Sequence, residues 1–195
     1  MIQDAAAIRS SDWEFRFRSG RLCLDFISTV GDRDHIGFDR WRDEGDFARW
    51  CVASGLFTRE IAVTPDELDA ARQLREALYR LVTQALAGAS ANPDDLGLLN
   101  AEAGRPPLVP QLTAFGRPSA WSSASPQEAL RATVARDAID LLSGVALKRV
   151  RKCADGHCSI LFTDNSRPGK RRWCAMNGCG NKVKKAAYRR RQKGG

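Results

Sequence analysis

The chain has no long apolar run. Nowhere in its 195 residues does a hydrophobic stretch approach the roughly 20 side chains that a membrane-spanning helix needs. The opening Met1-Ile2-Gln3-Asp4 has an early acid and no apolar segment behind it, so no secretory leader is expected and the chain is expected in the cytoplasm. Histidine is scarce, with His35 and His157 as its two residues, and no Cys/His/Asn arrangement or other catalytic constellation is visible. No enzymatic activity is expected. Internal repeats and low-complexity segments are also missing. One further absence is local: no acid follows Cys179, although cations recur from Lys182 to Lys193.

What is present is an ordinary globular composition, 43% hydrophobic and 28% charged, long enough for one core and a small appendage. The formal charge of +8 is unevenly placed. From Lys148 onward there are 15 Lys+Arg and 2 Asp+Glu, a balance of +13, which leaves −5 for residues 1–147. Four of the six cysteines lie in the same basic stretch. The sequence therefore divides into a mildly acidic body, 12–147, and a cationic, cysteine-bearing tail, 148–195.

In the body, Trp13, Phe15 and Phe17 alternate with polar residues, as do Leu22, Leu24 and Phe26 beyond Ser19-Gly20. That pattern predicts a hairpin with one buried face and Cys23 on the opposite face, the second arm able to turn helical near Asp25. Thr64-Pro65-Asp66-Glu67 is a capping box with proline at the first helical position, followed by Leu68, Ala71, Leu74, Leu78, Leu81, Val82 and Ala85 at helical spacing. Ser125-Pro126-Gln127-Glu128 repeats the signal, and an apolar face from Leu130 to Leu147 runs toward the cations Lys148-Arg149. Shorter helices are predicted from Asn92-Pro93 through Leu99 and from Asp46 to Gly55. Residues 104–124, with Leu108, Leu112, Phe115 and Trp121 among prolines, predict an irregular hairpin packed on the body. The fold class expected is α-rich α+β. His35 reads as a solvated loop residue, Cys23 and Cys51 as buried thiols, and Trp41 and Trp50 as core.

The tail is more specific. Cys153 and Cys158 form a C-x4-C pair, fifteen residues follow, and Cys174 and Cys179 form a second. Two short loops separated by a hairpin-sized spacer can aim four sulfurs at one point, as a tetrahedral, structural Zn²⁺ requires. Disulfide or redox pairs and an iron–sulfur site are the alternatives, and His157 could stand in for Cys158 as a ligand. Gly156 and Gly178 are expected at positive φ inside the loops. The spacer holds a strand-like run, Ser159–Thr163, and turn chemistry from Asp164 to Gly169, giving a knuckle–hairpin–knuckle finger followed by a helix from about Asn181. Arg151, Lys152 and Lys182 adjoin the ligands and are expected either to neutralise the site or to meet nucleic acid. Arg167, Lys170, Arg171, Arg172, Lys184, Lys185, Arg189, Arg190, Arg191 and Lys193 remain, and all but Lys193 are taken as candidate nucleic-acid contacts. Tyr188 reads either as a stacking residue or, preferentially, as cover for the hairpin. One sign of charge on a metal-folded scaffold is the footprint of a polyanion binder.

The segment Trp173-Cys-Ala-Met-Asn-Gly-Cys-Gly-Asn-Lys182, preceded by Asp164-Asn165-Ser166 and Arg171-Arg172, resembles the CGNR-type zinc finger of a bacterial stress-induced transcription regulator family. Arg18 to Val30 is similar to the opening of the ABATE domain that precedes the finger in that family, and Trp50–Gly55 and the capped helices fit its layout. The resemblance spans nearly the whole chain. It departs at Lys182, where the motif's name has arginine, and at Ser28, where asparagine commonly precedes Thr29. The resemblance implies zinc on the four cysteines, DNA contact by the finger and its helix, and a ligand-binding domain over 12–147. It also implies a cytoplasmic regulator that associates with the nucleoid. RNA or ribosome binding stays open as the alternative, as do a small-molecule effector and a homodimer.

Overall fold

Helix dominates, as the capping and periodicity signals require. The computed structural model describes residues 8, 10–112, 114–115 and 120–193. In chain order the elements are α1 (Leu22–Ile27), β1 (Val30–Gly31), β2 (Phe38–Asp39), α2 (Glu44–Ala53), α3 (Pro65–Ala87), α4 (Pro93–Ala103), β3 (Val109–Gln111), β4 (Ala120–Ser122), α5 (Pro126–Ser143), β5 (Val150–Lys152), β6 (Leu161–Thr163) and α6 (Asn181–Lys193). A π-helical turn, Met176–Gly180, precedes α6. The strands pair as three antiparallel two-stranded ladders, β1–β2, β3–β4 and β5–β6. No helix of the described residues is long and apolar enough to cross a membrane. Two compact units result: Arg40–Leu147, and Met1–Asp39 together with Lys148–Gly195.

In the second of these units the expected 13–26 hairpin does not form. Leu22–Ile27 is helical from its start, and Arg16–Arg18 belong to no ladder. Backbone groups there are satisfied elsewhere. The Asp25 carboxylate accepts hydrogen bonds from the Arg18 and Ser19 amides at 3.0 and 3.1 Å, and the Ser19 carbonyl accepts from the Thr163 amide of β6 at 2.7 Å. The buried set Cys23, Leu24, Phe26 and Ile27 has helical spacing and lies on α1, which packs against β6. Cys23 is therefore buried beside Leu24 rather than facing away from it. The strand-like run of the tail becomes β6 and pairs with β5, so the first cysteine loop sits at the tip of that hairpin. In β1, Gly31 is required by packing: a Cβ there would lie 2.3 Å from the Phe38 ring.

In the unit Arg40–Leu147, α3 carries its capping box as expected. Glu67 N donates to Thr64 Oγ1 at 3.3 Å and Thr64 N to the Glu67 carboxylate at 2.7 Å. Asn92 caps α4 through the Asp94 and Asp95 amides. Two predicted details fail. Ser125 begins α5 without a side-chain cap bond, and the helix ends at Ser143 rather than running to Lys148. Extended backbone at Gly144 leads into a 3-10 turn, Val145–Arg149, where Val145 is exposed. The β3–β4 hairpin is present, and Leu108 beside it is buried, but Leu112 and Phe115 are exposed rather than packed. Trp41 and Trp50 are core residues, edge-on at 5.6 Å, and Cys51 is buried with its thiol pKa raised to about 12 by desolvation.

Helices α3, α4 and α5 pack on one another, joined by ion pairs as well as by leucines. Arg80 of α3 clasps Asp95 of α4 with two bonds at 2.9 and 2.6 Å, which raises the arginine's pKa. Arg131 of α5 meets Glu102 of α4 at 3.0 Å with both side chains under 10% exposed. Removing one member of such a pair strands the other charge in a dry site. Glu102→Ala is therefore expected to lower the unfolding free energy by about 3–5 kcal/mol in urea titrations, whereas replacing both residues by methionine is expected to be close to neutral.

Candidate metal centre and cationic surface

Each cysteine is delivered to the centre by a different local device. Cys153 follows β5 and is held by its amide, which donates to the Ile160 carbonyl at 3.0 Å. The first loop closes when the Cys158 amide donates to the Asp155 carbonyl at 2.9 Å, and the His157 amide to the Asp155 carboxylate at 3.3 Å. Cys174 N donates to Cys153 Sγ at 3.4 Å, so the second loop starts against the first. Cys179 lies in the π-helical turn, closed by Gly180 N donating to the Ala175 carbonyl at 3.1 Å. A backbone bond from Ala154 N to the Arg172 carbonyl at 2.8 Å ties the two loops together.

The four sulfurs converge, are buried, and lie within 4.8 Å of one another. Cys158 and Cys174 are 3.8 Å apart, and Cys174 and Cys179 3.7 Å. A tetrahedral ion with bonds of about 2.3 Å to sulfur sets its ligands about 3.8 Å apart. A disulfide needs sulfurs near 2.05 Å, and all six cysteines are free. The donor set therefore fits zinc, and the four buried cysteines form a single zinc site. Hydrogen bonds from the Cys158, Cys174 and Cys179 thiols hold Cys153 well below its ordinary pKa, while Cys153, Cys158 and Cys174 push Cys179 upward. Without a cation the four cannot all ionise together; a divalent metal relieves that conflict.

Residues around the centre explain several sequence features differently from expectation. Neither Gly156 nor Gly178 has a positive φ; Gly169 does, in the Ser166–Gly169 turn. At Gly178 a Cβ would lie 2.9 Å from the Arg18 guanidinium, the mobile end of an exposed side chain. His157 stands outside the four-sulfur cluster. Asp164 is buried and accepts from the Ser166 hydroxyl at 2.6 Å, the Ser166 amide at 3.0 Å and the Arg171 amide at 2.8 Å. Those bonds, the hydroxyl's first, lower its pKa. The sequence marked this residue only as turn chemistry; its role as the anchor of the spacer was missed.

The expected nucleic-acid contacts separate into two sets. Arg171 serves the finger itself: Nε donates to the Trp173 carbonyl at 2.9 Å, a second nitrogen donates to the Cys174 carbonyl, and the guanidinium lies 4.6 Å from the Phe162 ring centre. Arg172 stacks on Trp173 at 5.2 Å. Lys182 pairs with Asp155 at 3.6 Å and Lys152 with Asp34 at 2.7 Å, while Arg151 donates to the Lys148 and Val150 carbonyls. By contrast Arg167, Lys170, Lys184, Lys185, Arg189 and Arg191 are exposed, with no ion pair among the described residues. The side chain of Arg190 and that of Lys193 lie outside the described residues. Tyr188 does not cover the hairpin; it is 60% exposed, and its hydroxyl accepts from Gln192 at 3.2 Å. On α6, Lys182, Lys185 and Arg189 share one side of a groove of about 470 Å³ with Asn177 and Asn181.

The purified chain is expected to hold one equivalent of zinc by elemental analysis. Cys174→Ser is expected to lose it, with loss of ordered structure in the finger. Because the ligands must be thiolates, affinity is expected to fall as pH drops and protons compete for sulfur. A metal competition series between pH 8 and 6 checks that direction.

No curated protein matches the chain. Two family comparisons do. Residues 149–192 match the family described as "CGNR zinc finger", and residues 20–145 match "ABATE: Putative stress-induced transcription regulator". The second match alone covers more than half of the sequence, and the first coincides with the four-sulfur centre and α6. The chain belongs to the ABATE family and carries a CGNR zinc finger.

Proposed function

We propose that this chain is a zinc-dependent DNA-binding transcription regulator. In this reading the finger and α6 contact the duplex, the region 12–147 senses a small molecule or dimerises, and the protein acts in the cytoplasm on the nucleoid. The observation that carries it is the charge on α6. Lys184, Lys185, Arg189 and Arg191 are exposed and have no acidic partner among the described residues, on a helix that begins directly at the zinc knuckle. A solvated structural helix normally intersperses both signs. Here the helix is acid-free, and its groove between Asn177, Asn181, Lys185 and Arg189 combines cations with amide donors, the set that meets phosphate and base edges. Arg167 and Lys170 on the spacer turn add two further charges.

A ligand-sensing role is supported by a separate feature of the unit Arg40–Leu147. A cleft of about 340 Å³ is lined by Leu56, Phe57, Arg59, Ile61, Trp121 and Ser122. Mixed apolar walls with one arginine and a few hydroxyls suit a small organic molecule carrying an acidic or polar group.

Binding to duplex DNA is expected to weaken steeply with salt, about 0.9 in log–log slope for each phosphate neutralised. Lys185→Glu with Arg189→Glu is expected to reduce affinity at all salt concentrations and to flatten the slope by about 1.8, for two lost contacts. Fluorescence anisotropy on duplex DNA and hairpin RNA across a salt series checks both. Equal slopes for the variant and the parent chain overturn the assignment of α6. A clear preference for the hairpin replaces DNA by RNA.

A further inference from the structure

The chain's two histidines, 122 positions apart in sequence, meet in space. His35 lies in the loop between β1 and β2, and His157 in the first cysteine loop; both belong to the unit formed by Met1–Asp39 and Lys148–Gly195. Their ring centres are 5.0 Å apart, tilted by 35°. Asp32 faces both rings. Its Oδ1 is 2.8 Å from His35 Nδ1 and its Oδ2 is 3.8 Å from His157 Nδ1. His35 is an exposed loop residue, as expected, but one with two partners in space.

Two features set this cluster apart from an incidental ion pair. Asp32 is the one described non-glycine residue at positive φ, 46°, and its carbonyl accepts from the amides of both His35 and Gly37 at 3.0 Å. The loop is thus built to present the Asp32 and His35 side chains together, an unusual backbone state kept by local bonds. The second imidazole makes no hydrogen bond among the described residues, since its 3.8 Å to Asp32 exceeds a bonding distance. Nearby charges are accounted for: Lys152 is on Asp34 and Lys182 on Asp155, and no lysine or arginine pairs with Asp32 among the described residues.

We propose that Asp32, His35 and His157 form a second divalent-metal site, distinct from the four-cysteine centre and open to solvent. The three donor atoms lie within 4.8 Å of one another. Around a tetrahedral ion with bonds of about 2.0–2.1 Å, nitrogen and oxygen donors sit about 3.3–3.4 Å apart, between the two separations seen here. Two imidazoles and a carboxylate suit zinc, cobalt or nickel rather than calcium or magnesium. The imidazoles are about half exposed and the carboxylate is 11% exposed, so at least one coordination position faces water. Four thiolates around zinc carry a formal −2 one residue away from His157, which further favours a cation. Such an ion clips the β1–β2 loop to the first knuckle, and it exchanges more readily than the buried zinc.

The test uses the untagged full chain, first loaded with one equivalent of zinc and then titrated with Co²⁺ by calorimetry and visible absorption. The parent chain is expected to take up one cobalt with the visible ligand-field bands of a tetrahedral nitrogen–oxygen site and no thiolate charge-transfer band. His35→Ala and Asp32→Asn are each expected to keep the zinc equivalent and a parent-like circular dichroism spectrum but to lose the cobalt equivalent. His35 lies on a loop remote in sequence from every cysteine ligand, so its variant separates the two sites. Absence of a second equivalent in the parent chain overturns the proposal. So does a second equivalent retained in both variants, which would make the cobalt adventitious.

Discussion

Four thiols forced into one buried point form the constraint on which the finger unit depends. Sulfurs 3.7–3.8 Å apart are too distant to bond to one another and too close to ionise together, so their assembly is stable only around a cation. Little else holds this part of the chain together. The apolar cluster around the sulfurs consists of Ile160 and Phe162, with Trp173 against it. That is far less than a domain core, and burial of so few side chains cannot offset the entropy of ordering two loops and a turn. The polar bonds observed have the same purpose. Asp164 gathers the spacer, Asp155 closes the first loop, and Arg171 joins the Trp173 and Cys174 carbonyls.

The finger is also not a local object. Ser19 extends the edge of β6, α1 lies against it, and Arg18 occupies the space that a side chain at position 178 would fill. Residues far upstream therefore supply part of the wall around the metal centre. The composition of the chain changes at Lys148 and one compact unit ends there, at Leu147, but the other joins Met1–Asp39 to the tail, which composition does not mark. A charge boundary reports where cations accumulate; a packing boundary reports which surfaces bury one another, and the two need not coincide.

This difference explains what was legible in the sequence. The Thr64 box, the apolar face of α3, the Asn92 cap and the C-x4-C pairs are all short-range signals, and each appears as read. The alternation from Trp13 to Phe26 misled because no period-2 burial results: Phe17 is exposed, and the buried residues from Cys23 to Ile27 lie on a short helix. The capture of the Arg18 and Ser19 amides by Asp25 is invisible to a periodicity count. Ser125 offered the same letters as Thr64 without the bond, since its backbone does not turn the hydroxyl toward the helix. The π-helical turn at Cys179 and the approach of His157 to Asp32 and His35 left no mark, because neither is encoded by neighbouring residues.

Positive charge in the tail falls into two sets, one with partners inside the protein and one without an ion pair among the described residues. Arg151, Lys152, Arg171, Arg172 and Lys182 are exposed, yet each has a carbonyl, a carboxylate or an aromatic ring of the protein as partner. They compensate the excess negative charge of a thiolate cage and the unsatisfied carbonyls of tight loops. Beyond Lys182 the chain turns into a helix with no acid, and Lys184, Lys185, Arg189 and Arg191 face water. Self-repulsion along such a helix opposes folding, and its tolerance requires either a fixed N-terminus or an external anion. The zinc knuckle supplies the first by ending directly at Asn181. In the proposed function the second is the DNA phosphate backbone, so the charge that is least useful to the fold is the charge assigned there to binding.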